Sequence, residues 1–205
     1  MARAKRLPRA FYTDKYVTGI SRMLLGKILC TTLDGRLTTG MIVETEAYHG
    51  PEDKASHAYR GRRTGRTEPM FGDPGVAYIY LCYGIHHLFN IVTGPAGTPH
   101  AILVRAVEPV HGIETMMERR GMTFPHPRLT AGPGSLTVAL GLTTALSGTD
   151  LLHPQSPVWI EDRGTQIPGK DIIASTRVGV GYAGDWARKP WRFRIRNNPW
   201  TSPAR

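Results

Sequence analysis

Two β-rich runs, KILCTTL (residues 27–33) and RLTTGMIVETEAY (residues 36–48), are separated only by Asp34-Gly35. An Asp-Gly pair accepts the positive φ angles of a two-residue hairpin turn, so the runs are expected to fold back on each other as antiparallel neighbours. Side chains alternate between the faces of a strand, which places Ile42, Glu44, Glu46 and Tyr48 on one face and Val43, Thr45 and Ala47 on the other. Two carboxylates and a ring thus share a face, just ahead of a Gly50-Pro51 turn and His57.

Around this hairpin the pattern mixes helices and strands. Residues 13–25 (TDKYVTGISRMLL) carry Val17, Ile20 and Leu24 at helical spacing, with Asp14 near the start and Gly26 after the end. Residues 59–75 are rich in Gly, Arg, Thr and Pro and read as an exposed basic loop. AYIYLCYGIHHLFNIV (residues 77–92) and AILVRAVEP (residues 101–109) are strand-like. Residues 112–121 form a helix supported by Ile113, Met116 and Met117 and stopped by Gly121. After a connection at residues 122–134, SLTVALGL (residues 135–142) opens a short helix. Its first amides, from Gly132-Pro133-Gly134-Ser135, either suit an anion or are capped by Ser135. VWIED, IIAS and WRFRIR complete the strands, and VGVGYAG reads as a tight turn. Hairpins and helices without a βαβ rhythm predict an α+β fold. The expectation is one domain over residues 1–205, with a mixed or antiparallel curved sheet, peripheral helices and a flexible N-terminal segment at 1–12.

Charge narrows the partners. Lys plus Arg number 26 against 16 Asp plus Glu, a net charge of +10 spread along the chain, which suits a polyanion such as nucleic acid. No run approaches the roughly 18 apolar residues of a membrane span, and MARAKRLPRAFY lacks the apolar core of a signal peptide, so a cytoplasmic protein is expected. Cys30 and Cys82 form no CxxC pair and read as buried thiols, and His86-His87 has no companion ligands for a metal. GxSxG, GKS/T and GxGxxG motifs in the required context are missing, which disfavours acyl transfer, nucleotide hydrolysis and dinucleotide chemistry. Glu46 remains open as a general base, a metal ligand paired with Glu44, or half of a surface ion pair. The rings of Tyr48, His57, Tyr78, Tyr80 and Tyr83 near basic loops form either a base-stacking site or a tyrosine-lined core.

Four segments in order, IVETEAYHGPEDKASH, MFGDPGVAYIYLCYGIHHLFNIV, ILVRAVEP and RVGVGYAGDWARKPWRF, resemble the methylpurine (alkyladenine, 3-methyladenine) DNA glycosylases over about residues 17–202. The resemblance implies a monofunctional DNA repair hydrolase without cofactor or metal. Such an enzyme rotates an alkylated or deaminated purine out of duplex DNA and hydrolyses its N-glycosidic bond with water, leaving an abasic site. By motif, Glu46 matches the general base, Tyr48 and His57 sandwich the flipped base against Tyr80, and the Ala47 backbone and His57 make polar contacts to it. Tyr83 matches the wedge, Asn90 the pocket-floor residue that disfavours guanine, Arg105 a phosphate-side contact, and Val178 the water-contacting segment; Glu44 receives no role. The implied partner is double-stranded DNA carrying damaged purines, bound by a nucleoid-associated monomer that needs neither membrane nor protein partner. His86-His87 stands where vertebrate members carry aromatics, the loop before Ala101 is slightly longer, and no long polar N-terminal extension precedes the motifs, which points to a compact bacterial form. The alternative is a catalytically inactive nucleic-acid-binding module of the same fold.

Overall fold

A computed structural model describes residues 5–14 and 16–203. The Asp34-Gly35 turn forms as the sequence requires: Asp34 has φ 53° and Gly35 φ 70°, and Leu33 pairs with Arg36 across it. The turn joins β2 (Ile28–Leu33) to β3 (Arg36–His49), the 14-residue strand around which the sheet is organised. The remaining strands are β1 (Lys5–Arg6), β4 (Ala77–Cys82), β5 (His86–Thr93), β6 (His100–His111), β7 (Val158–Asp162), β8 (Ile172–Ser175) and β9 (Arg192–Ile195). The described strands form one sheet in the order β1-β7-β2-β3-β6-β5-β4, with β9 pairing β3 and β8, and their ladders are antiparallel. Helices α1 (Arg9–Tyr12), α2 (Val17–Met23), α3 (Ile113–Arg120) and α4 (Pro133–Leu140) surround it, giving the expected single-domain α+β architecture.

β3 is held along both edges at the stretch that matters. β6 pairs it on one side, while β2 on the other side hands over to β9, which pairs Glu44, Thr45 and Glu46 with Arg194, Phe193 and Arg192. The β3–β6 register shifts twice between Ile42 and Thr45. These irregularities break the simple alternation: Ile42 joins Ala47 in the main hydrophobic core instead of accompanying Glu44 and Glu46. On the core side α2 packs over β3, where the Ser21 hydroxyl donates to Thr45 Oγ1 at 2.9 Å and Thr45 donates back to the Ser21 carbonyl. Fully buried Ile20, Leu24, Phe89 and Phe193 belong to the same cluster, each side chain contributing about 1.5–3 kcal/mol of burial.

Several expected boundaries move. Residues 5–12 are strand and helix rather than flexible: Lys5 and Arg6 pair with β7, and Leu7 and Tyr12 bury their apolar surface in the core. Residues 1–4 of the expected flexible segment lie outside the described residues. α2 is shorter than 13–25, with Asp14 accepting the Tyr16 N–H just ahead of it. The strand-like run 77–92 is a hairpin, because Tyr83 (φ 51°) and Gly84 (φ 74°) turn the chain and Cys82 pairs with His86. α3 ends at Gly121 (φ 61°), as its sequence signals. α4 begins at Pro133 behind Gly132 (φ 121°), so Ser135 lies inside the first turn and does not cap it. VGVGYAG turns at Gly179 and then enters a 3-10 helix, Gly181–Arg188. Cys30 is buried but Cys82 is only half-buried, since it stands beside the exposed hairpin tip.

Candidate active site

Glu46 sits in the C-terminal third of β3, paired on both edges, with no solvent exposure. An ionised carboxylate in that position requires donors, and three converge on it. Tyr48 OH donates to Oε2 at 2.8 Å, the Val178 N–H donates to Oε1 at 2.8 Å, and Arg105 Nη1 lies 3.4 Å from Oε1. Burial, and next the neighbouring Glu46, push the Tyr48 hydroxyl well above its ordinary pKa, so it remains a donor.

Glu44, expected to have no part, is a second fully buried carboxylate on the same side. Its Oε1 accepts from Arg105 Nε (2.8 Å), Arg192 Nε (2.7 Å) and Ser202 Oγ (2.8 Å), and its Oε2 accepts from the Ser202 N–H (2.6 Å). Arg105 therefore bridges Glu44 and Glu46. The side chain is 8 % exposed, its guanidinium lies against the two carboxylates and Ser202, and the residue lines the adjacent cavity. The oxygens of Glu44, weighed from the sequence as half of a metal pair, are occupied by guanidinium and Ser202 donors.

A cavity of about 670 Å³ opens in front of this cluster. Tyr48, His57, Tyr80, Tyr83, Asn90, Arg105 and Val178 all reach its wall, brought there by seven different strands, turns and loops. His57 and Tyr80 touch each other, ring centroids 4.5 Å apart at 80°. A base cannot enter between rings that close, so the two form one wall and the sandwich inferred from the resemblance does not fit as stated. Ala47 is also displaced from its expected role. Its N–H donates to the Trp191 carbonyl, its carbonyl accepts from Arg177, and its methyl lies in the core.

His57 has a defined protonation state. Arg66 Nη2 stands 3.1 Å from Nε2 and can only donate, so Nε2 accepts and Nδ1 carries the proton to Tyr78 OH at 2.8 Å. Burial, followed by Arg66 and Arg62, lowers its pKa to about 4, leaving a neutral ring at physiological pH. The Asn90 amide is fixed by donating to the carbonyls of Tyr78 (3.1 Å) and Leu88 (3.2 Å). Tyr83 is 90 % exposed at the tip of the β4–β5 hairpin, flanked by the exposed side chains of Leu81 and Ile85, with Tyr182 on the cavity rim.

Sequence reading missed further wall residues, Ala55, Ser56, Arg66 and Tyr182, while Gly132 to Ser135 at the start of α4, whose first amides the sequence offered as an anion site, also line the cavity. A smaller adjoining cavity of about 290 Å³ is lined by Lys54, Arg62 and Arg66 together with Ser56, Thr64 and Thr67. The Arg-rich composition of residues 59–75 signalled the basic character of this edge, but not its adjacency to the base-sized cavity.

Residues 10–199 match the family described as methylpurine-DNA glycosylase. The chain is 44% identical over 190 residues to a Chlamydia felis (strain Fe/C-56) protein, covering 92% of this chain and 95% of that one. It is 42% identical over 201 residues to proteins of Bacillus cereus (strain G9842) and Bacillus mycoides (strain KBAB4), covering 95% of this chain and 98% of theirs. All three relatives carry the name "Putative 3-methyladenine DNA glycosylase".

Proposed function

The chain belongs to the methylpurine-DNA glycosylase family, and on that premise we propose that it excises alkylated or deaminated purines from duplex DNA by hydrolysis at a single carboxylate, Glu46. The observation that carries this reading is a buried carboxylate held by Tyr48 OH, the Val178 N–H and Arg105, directly behind an aromatic cavity.

Catalysis requires that the purine leave the stack, because the sugar C1′ is unreachable inside the duplex. In this reading Tyr83 enters the space the nucleotide vacates, offsetting a few kcal/mol of lost stacking. The base then lies against Tyr48 on one side and the His57–Tyr80 wall on the other. A purine methylated at a ring nitrogen such as N3 or N7 carries positive charge, which the faces of such rings favour. With Oε1 engaged by Val178 and Arg105 and Oε2 by Tyr48, Oε2 keeps one lone pair for a water molecule. Glu46 takes the proton of that water as its oxygen attacks C1′, and the carboxylate offsets the charge developing on the sugar. The C1′–N bond breaks with its electron pair passing to the purine. One carboxylate suffices where most glycosidases use two, because the alkylated or protonated purine is already a good leaving group. Asn90 closes the floor and restricts entry of guanine. Lys54 and Arg62 contact the flanking phosphates.

Borohydride treatment during turnover tests the role of water. Base release without a trapped enzyme–DNA adduct is expected; a trapped adduct means that a lysine amine attacks the sugar in place of water. Lesion binding with no base release from any substrate would favour an inactive binding module.

A further inference from the structure

Asp53 and Arg177 form an ion pair whose side chains have no solvent exposure, and the chemistry above leaves it without a role. Arg177 Nη1 donates to Asp53 Oδ2, and Nη2 donates to Oδ1 at 3.0 Å. The same guanidinium donates to the carbonyls of Ala47 (2.9 Å) and Trp186 (3.0 Å). Its Cζ stands 4.7 Å from the centroid of the Tyr48 ring and 5.3 Å from that of Trp191. Asp53 in turn accepts from the N–H groups of Ala55 (2.9 Å) and His49 (3.3 Å).

One pair thus ties three segments that are distant in sequence: the end of β3, which carries Tyr48; the turn through residues 50–57, which delivers His57; and the loop in which Val178 follows Arg177. Net stability is a weak reason for such an arrangement, because desolvating two charges consumes much of what their attraction returns. Its placement behind the stacking ring and beside the amide that holds Glu46 gives it another use.

Building on the base-excision reading, we propose that Asp53 and Arg177 are a positioning pair that sets Tyr48 and the Val178 amide relative to Glu46, so that a stacked purine and the carboxylate meet in one geometry. The pair touches neither base nor water. Because both side chains are buried, loosening them leaves the DNA-facing surface unchanged and reduces occupancy of the reactive geometry.

Arg177→Ala strands a buried carboxylate and can fail to fold, so Asp53→Asn, which removes the charge and keeps the shape, is the primary variant. Each protein is first melted, and assays are run well below its transition. Wild type is expected to release base from a hypoxanthine or methylated-purine duplex. Asp53→Asn is expected to do so at least about tenfold more slowly in single turnover, with affinity for undamaged duplex within about twofold of wild type. Arg177→Ala, where folded, is slower still and recovers part of its rate with added methylguanidinium. A folded Asp53→Asn protein with wild-type rate overturns the proposal. So do equal losses in release and in undamaged-duplex binding, which mark general distortion, and so does failure of Asp53→Asn to fold. An inactive wild type removes the base-excision reading and this role with it; an active wild type beside an unaffected variant removes this role alone.

Discussion

A carboxylate without solvent exposure is costly unless its oxygens are paired, and the pairing of Glu46 is made entirely by groups that also face the cavity: Tyr48, Val178 and Arg105. The neutral state of His57 is a second consequence of burial, and it carries a pH dependence. Its folded pKa of about 4 lies below the ordinary 6.5, so the unfolded chain binds more protons between those values. Stability contributed by the neutral ring is therefore present above pH 6.5 and lost as pH falls towards about 4. Thermal melts of wild type and His57→Gln across that window are expected to show a steeper acid-side decline for wild type; parallel curves would show that His57 is not held neutral. Of these residues, Glu46, Tyr48 and His57 were legible in the sequence because carboxylate, ring and turn fall within residues 42–57. Glu44 was not, since its meaning lies in Arg192 and Ser202, 148 and 158 residues away.

Elements decide which residues reach the cavity and its rim. The β2–β3 hairpin was readable because Asp34-Gly35 specifies its own turn, and α3 because Gly121 supplies a left-handed stop. The β4–β5 hairpin was hidden inside one apolar run, since its turn begins with a tyrosine in a conformation that tyrosine rarely adopts. That turn holds Tyr83 90 % exposed at its tip. Insertion during flipping predicts that Tyr83→Ala slows base release from a fully paired lesion by roughly tenfold or more, while a lesion placed opposite a gap, already unpaired, is processed near the wild-type rate. Stopped-flow binding is expected to show little change in initial association. Equal losses on paired and unpaired lesions would remove the wedge from Tyr83.

Across the whole molecule, charge and topology act together. A net charge of +10 with no dominant block suits association led by phosphate neutralisation. Plots of log affinity for undamaged duplex against log salt are expected to be linear, with a slope of about −3 to −6, corresponding to a handful of phosphate contacts; a flat plot would contradict backbone-led binding. Composition made a polyanionic partner legible, and the motifs rather than the charge pointed to DNA, but neither showed the assembly of the site. Glu46 and Val178 are 132 residues apart, and Asp53 and Arg177 are 124 apart, meeting only because β9 pairs the C-terminal half of β3 and returns the preceding loop to the cavity. Among the described residues no helix is long and apolar enough to cross a membrane. In the proposed mechanism one buried carboxylate activates water beside a stacked purine. The most direct test of that mechanism is single-turnover base release from duplexes bearing hypoxanthine, ethenoadenine or a methylated purine, comparing wild type with Glu46→Gln. Release without strand cleavage, slowed at least about a hundredfold by the substitution while lesion binding persists, is the predicted result. Release at an undiminished rate by Glu46→Gln would contradict it.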